Sequence, residues 1–236
     1  MRAIFKREFK AYFTNPIGYI FIAFMAFFHG NAFRYMYAQG STDISYVFTN
    51  FFGFAALFFL IPILTMRTMS DDRRQKTDQV LITSPVSLYS IVLGKFFATV
   101  AVFMMGYIVT LVFQIIVAFQ DVPVNWLIYI GNILGVFLIG SALIAIGIFI
   151  SSLTESQLVS AVGSIAVSLV LYMMDYISES IGIGAVTKVV EWLSFVGRYE
   201  TFTFGIIDYS NIVFFLGFAV IFLFLSVRVL DKRRYS

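Results

Sequence analysis

The densest chemistry in the sequence lies between Arg67 and Ser84, where Asp71, Asp72, Arg73, Arg74, Lys76 and Asp78 crowd six charges of both signs around Thr77. A segment made to lie on lipid headgroups would be mostly basic. This mixture suits a short helix that docks on another protein through matched polar contacts. The competing reading is a solvated loop whose Lys and Arg only set membrane orientation, and composition leaves both open. Catalysis is hard to assemble from the remaining residues. The chain has no Cys and a single His, His29, so thiolate chemistry, disulfides and a His-rich metal cluster are excluded. A phosphate-cradling loop needs G-x-x-x-x-G-K-[ST]; here Gly94-Lys95 is followed by Phe96 and preceded at the fifth position by Tyr89. The expectation is a chain with no catalytic residue, no metal and no cofactor of its own.

The elements that carry these charges are almost wholly apolar. Of 236 residues, 60% are hydrophobic and 12% charged, with a mean hydropathy of +0.92. Average soluble domains are about 45–50% apolar and about 25% charged. Too little polar surface exists here to cover a soluble core, and disorder needs the opposite composition. A polytopic membrane protein is the class that remains. At roughly 20 residues per crossing, six spans fit, at 17–33, 47–66, 88–119, 126–150, 158–174 and 212–229. Before them, residues 2–16 place Phe5, Phe9, Tyr12 and Phe13 on one helical face, with Lys6, Arg7 and Lys10 off it. This reads as an interfacial helix with its aromatics in the membrane, ended at Asn15-Pro16. Pro62, near the end of the second span, is placed to kink it.

Residues 175–208 are too polar and broken to span. Within them Val186, Val189, Val190, Leu193 and Val196 oppose Lys188, Glu191, Ser194 and Arg198, which predicts a short amphipathic helix over 186–199. The expected fold is therefore an all-α polytopic membrane protein, one domain over 1–236, with six transmembrane helices, an N-terminal interfacial helix and a short external helix between spans five and six. Thirteen of the 16 Lys and Arg residues fall at the N-terminus, at 67–95 or at the C-terminus, leaving Arg34, Lys188 and Arg198 for the other side. That bias places both termini in the cytoplasm. The net charge of +3 sits beside apolar runs, which points to a bilayer and not to nucleic acid.

Gly131 and Gly135 in the fourth span, and Ser160 and Ser164 in the fifth, are small residues four apart that allow close helix approach. Packing within one subunit is the simpler role, a subunit contact the other. Asp175 and Glu179, just past the fifth span, join Glu191 and Arg198 as a candidate outer gate, with ordinary loop charges as the alternative. The spans are nearly free of ionisable residues, which argues against an ion-coupled secondary transporter.

Residues 70–95, SDDRRQKTDQVLITSPVSLYSIVLGK, resemble the first cytoplasmic loop of type-2 ABC transporter permeases: an acidic-basic cluster, then Thr77-Asp78-Gln79-Val80-Leu81, Thr83-Ser84-Pro85 and Gly94-Lys95 entering the third span. Residues 5–19 are similar to that family's N-terminal interfacial helix, and 151–157 (SSLTESQ) to its turn between spans four and five. The nearest branch resembles the gliding-motility-associated (GldF-like) permeases. Many relatives carry Gly before the Thr, where this chain has Lys76. The resemblance implies a permease subunit of the bacterial inner membrane and leans toward export. It implies two copies of a separate ABC ATPase, holding ATP and Mg²⁺, docked under 67–84. It also implies a second permease, identical or paralogous, and in the gliding-type branch a partner with a large external domain. A non-transporting membrane scaffold is the alternative, in which 67–84 binds something other than an ATPase.

Overall fold

The computed structural model describes residues 1–77, 86–119, 125–181 and 190–234, which are helical apart from short turns and contain no strand. Helix α1 (Arg2–Thr14) ends at Asn15, whose backbone is extended as the residue before a proline prefers. The chain then turns by 71° into α2 (Ile17–Ala38). Short helices α3 (Ser45–Thr49) and α4 (Phe51–Ala55) are separated by Asn50, whose side chain accepts from the Gly53 N–H and caps α4. A π-helical turn at Ala56–Leu60 leads to α5 (Ile61–Thr65) and, after a turn, to α6 (Ser70–Arg74). Pro62 lacks the N–H that the carbonyl of Phe58 would otherwise receive, and the wide turn lies where that bond is lost.

Four long elements follow. Helices α7 (Leu88–Gly106) and α8 (Ile108–Ala118) are one apolar run broken at Tyr107. Helix α9 (Trp126–Leu153) is capped by Asn125 and is the most buried element, packed on α12 (Tyr209–Arg234), α10 (Gln157–Ile181) and α11 (Phe195–Thr203). Five helical stretches are long and apolar enough to cross a membrane: 51–74, 88–118, 126–153, 157–177 and 209–233; the bent pair α1–α2 makes a sixth if counted as one span. The bundle has a near end, where α1, α6, the 154–156 turn and the C-terminal end of α12 meet, and a far end holding α3, α11 and the start of α9.

Several elements differ from the sequence expectation. The 71–74 cluster is not carried on a detached loop, because α6 forms the end of the 51–74 helical stretch. The stripe on α1 does not turn Tyr12 to lipid. Tyr12 is buried, donates to the Leu64 carbonyl at 3.1 Å and meets Thr99 Oγ1 at 3.0 Å. Its hydroxyl needs such partners once desolvated, so Ile4, Glu8 and Tyr12 form the inward face. The continuous helix expected over 186–199 is interrupted: residues 190–193 are helical, Ser194 caps a new helix by accepting from the Gly197 N–H at 2.9 Å, and α11 runs on to Thr203. The part of that expectation at 186–189 lies outside the described residues.

Candidate coupling site

At the near end, three segments distant in sequence share one polar network. Glycine at 94 lets α1 lie close on α7, since a Cβ there would stand 2.9 Å from Ile4 Cγ2. One residue on, Lys95 is 2% exposed and surrounded by acceptors. Its Nζ lies 3.1 Å from Glu8 Oε1 on α1, 2.6 Å from the Thr68 carbonyl and 2.6 Å from Asp72 Oδ2 on α6. The Asp72 contact is an ion pair without hydrogen-bond alignment. Arg7 adds a second cation, paired with Glu8 and 3.8 Å from Asp72 Oδ2. A Lys inside an apolar helix requires such partners.

The other side of α6 is fastened to the turn between α9 and α10. Arg73 donates to the Leu153 carbonyl at 3.0 Å and pairs with Glu155 Oε1 at 2.8 Å. Gln157 Nε2 donates to Asp71, which also faces Arg67 at 3.8 Å. Ser151, fully buried, accepts from the backbone N–H groups of Met69 and Ser70 at 3.1 Å each and donates to the Met66 carbonyl. Arg233, on α12, reaches the Ser152 carbonyl. Polar contacts thus tie α6 to α1, α7, α9 and α10.

The seven residues singled out in 71–78 divide by direction. Asp71, Asp72 and Arg73 point into the protein and are consumed there. Arg74 and Lys76 are exposed and form no ion pair among the described residues. Arg74 lines an open cavity of about 660 Å³ with Glu155, Gln157 and Leu158. Thr77 bonds back to Asp72, and Asp78 lies outside the described residues. Lys76 has φ +56, the one non-glycine residue described with positive φ. This is the position where the resemblance would put Gly, which adopts such a conformation without strain. Glu8 and Lys95 complete the network but were not singled out as site residues. A Lys set in an apolar run calls for an acidic partner, and Glu8 is the one acid among four cations in the N-terminal helix.

The far end holds a second polar layer. A Cβ on Gly131 would meet the Phe202 carbonyl at 2.6 Å, and one on Gly135 the Tyr199 ring at 2.8 Å, so both glycines face α11 of the same chain. Tyr199 donates to Asn132 Oδ1 at 3.0 Å, and Ser45 donates to the Thr203 carbonyl at 3.1 Å. Ser160 and Ser164 are buried on α10, their hydroxyls lacking a partner among the described residues. Three of the four gate candidates have described side chains. Asp175 Oδ1 comes within 3.6 Å of where a Cβ on Gly197 would be, Glu191 is exposed, and the Glu179 side chain lies outside the described set. Arg198 is locked by bonds to the Trp192 carbonyl (2.9 Å) and Asn211 Oδ1 (2.8 Å). Burial lowers its pKa while Asp208 acts the other way, and it remains a cation. A cavity of about 540 Å³ opens here, and its carboxylates are Asp43 and Glu200, neither of them among the residues expected from sequence.

Among the described residues no His, Cys, Asp or Glu cluster could hold a metal ion. A family model described as ABC-2 family transporter protein matches residues 2–234. Among curated proteins no sequence matches the chain.

Proposed function

This chain belongs to the ABC-2 transporter family, and from that premise we propose that it is the permease subunit of an ATP-driven exporter. Membership makes it a membrane component of an ABC transporter and implies an ABC ATPase partner; in this reading hydrolysis takes place on that partner. In the reading favoured here, two ATPase copies holding ATP and Mg²⁺ seat against the near end, which faces the cytoplasm of a bacterial inner membrane. Helix α1 lies in the membrane surface, and α2 is the first of six spans. A second permease, a copy or a paralogue, completes the path; in the gliding-motility type of assembly it is joined by a subunit with a large external domain. The exposed Arg74 and Lys76 contact the ATPase. The inward Asp71, Asp72 and Arg73 carry its movement into the bundle, and the far-end layer opens in response.

The observation that carries this reading is the double fastening of α6, to Lys95 and Glu8 on one side and to Ser151, Glu155 and Gln157 on the other. A loop that only joined two spans would need no such anchorage. The test is purification of the tagged chain from its native membrane in mild detergent. A P-loop ATPase should co-purify in stoichiometric amount. Arg74→Glu with Lys76→Glu should reduce its recovery by about tenfold or more, the loss of two charge-assisted contacts, while membrane insertion stays normal. Recovery of the intact chain without an ATPase across several gentle detergents would instead establish the scaffold reading.

A further inference from the structure

On the outside of the bundle, where α12 begins at the far end, a lateral groove of about 540 Å³ runs down the helix. Its floor is the strip Tyr209, Val213, Gly217 and Ile221, and its walls are the rings of Trp192, Phe214 and Phe218. Gly217 keeps it open: a Cβ there would have nothing within 4 Å. From Tyr209 to Ile221 the strip measures about 18 Å at 1.5 Å per residue, close to the ~15 Å depth of one leaflet's hydrocarbon. The groove therefore has the length of an acyl chain, and Arg198 closes its outer end. The Arg198 guanidinium lies over Phe214 at 4.2 Å and Trp192 at 5.3 Å. Its two protein hydrogen bonds leave three of its five N–H donors without an acceptor among the described residues. Trp192 and Tyr209, both exposed, are the residue types that mark the membrane–water boundary. Asp208, whose charge acts on Arg198, accepts from the Ser210 N–H and does not line the groove.

We propose that this groove holds one phospholipid of the adjoining leaflet, its phosphate on the Arg198 guanidinium and one acyl chain along Val213, Gly217 and Ile221. The inference uses the membrane location of the chain and not the transport reading, so the two fail separately. Arg198 also fixes α11, through Asn211 and Trp192, so the lipid becomes part of what holds the far-end layer to the last span.

The experiment reconstitutes the purified chain in vesicles of phosphatidylethanolamine and phosphatidylglycerol containing a phosphatidylethanolamine with a diazirine on its acyl chain. After photolysis, labelled residues are mapped by peptide mass spectrometry, with the exposed Val162 and Val170 of α10 as the reference for bulk lipid contact. The wild type should label Val213 and Ile221 about tenfold above that reference. Arg198→Gln should remove the excess, since one charge-assisted hydrogen bond is worth about tenfold. Gly217→Leu should remove it too, by filling the groove. Because a Gly inside a helix is replaced by a better helix former, this second variant should fold at least as well and decides the matter if Arg198→Gln does not fold. Labelling of α12 no greater than α10, or an excess that survives Gly217→Leu, overturns the proposal. Cross-linking of Gly217→Cys to a second copy in preference to lipid labelling also overturns it.

Discussion

Replacing Lys95 with Met removes the cation at the centre of the near-end network while keeping most of the side-chain volume. It leaves Glu8 and Asp72, whose side chains are 16% and 19% exposed, facing each other with only Arg7 alongside. Breaking a buried ion pair on one side costs about 3–5 kcal/mol. The residual solvent contact of both carboxylates screens part of that, so about 3 kcal/mol is expected. For a chain of this size each kcal/mol moves the thermal midpoint by about 2–4 °C, which gives a fall of about 6–12 °C. The assay is thermal unfolding in detergent, followed by loss of the monodisperse species. The argument also fixes a second result. Lys95→Met combined with Glu8→Gln and Asp72→Asn removes the stranded charges, so the triple variant should recover at least half of the loss despite carrying three changes. A single variant within about 2 °C of wild type, or a triple variant no better than the single, would refute the account of Lys95 as a charge held by its two carboxylates.

Ser151→Ala strands the buried N–H groups of Met69 and Ser70 and should cost about 1–3 kcal/mol, with faster hydrogen exchange at those two amides as the local readout. Lys76→Gly relieves a left-handed backbone that costs a side-chain-bearing residue about 1–2 kcal/mol, against about 0.5–1 kcal/mol of added unfolded-state entropy. The midpoint should therefore stay level or rise by up to about 6 °C; a fall of a few degrees would contradict the backbone argument.

How much of this was legible in the sequence differs from residue to residue. The crowded charges marked the segment that holds Asp71, Asp72 and Arg73 of the near-end network, and hydropathy marked the apolar runs, because both are local properties. Which of the charges turn inward was not legible. Over the single turn of α6, Asp71, Asp72 and Arg73 point to partners set by α1, α7 and the 154–156 turn, and no periodicity shows over five residues. Glu8 and Lys95 stand 87 residues apart, and pattern along the chain cannot report a pairing across it. Hydropathy ended the fifth span at residue 174, whereas α10 continues to Ile181, because a helix does not stop where the lipid does. The break at Ser194 was hidden for a related reason. Its capping hydroxyl looked like one more polar residue on a helical face, and only the docking of Tyr199 and Phe202 on α9 and of Phe195 on the Phe214, Phe215 and Phe218 rings of α12, all three fully buried, distinguishes the two.

The fastening of α1 also orders events in time. Its inward residues find their partners late: Tyr12 waits for Thr99 and Glu8 for Lys95, each 87 residues downstream. At a synthesis rate of about 5–20 residues per second, the first helix exists for about 4–17 s before those partners have been made. During that interval a helix bearing Ile4, Phe5, Phe9, Tyr12 and Phe13 lacks the α7 surface that later covers its inward face. Read as an in-plane helix, α1 has one shelter available, the headgroup layer of the bilayer, which is rich in hydrogen-bonding groups and accepts aromatic rings. In that reading the membrane surface acts as an early folding partner of α1, and α7 displaces it from the Ile4–Glu8–Tyr12 face when it arrives.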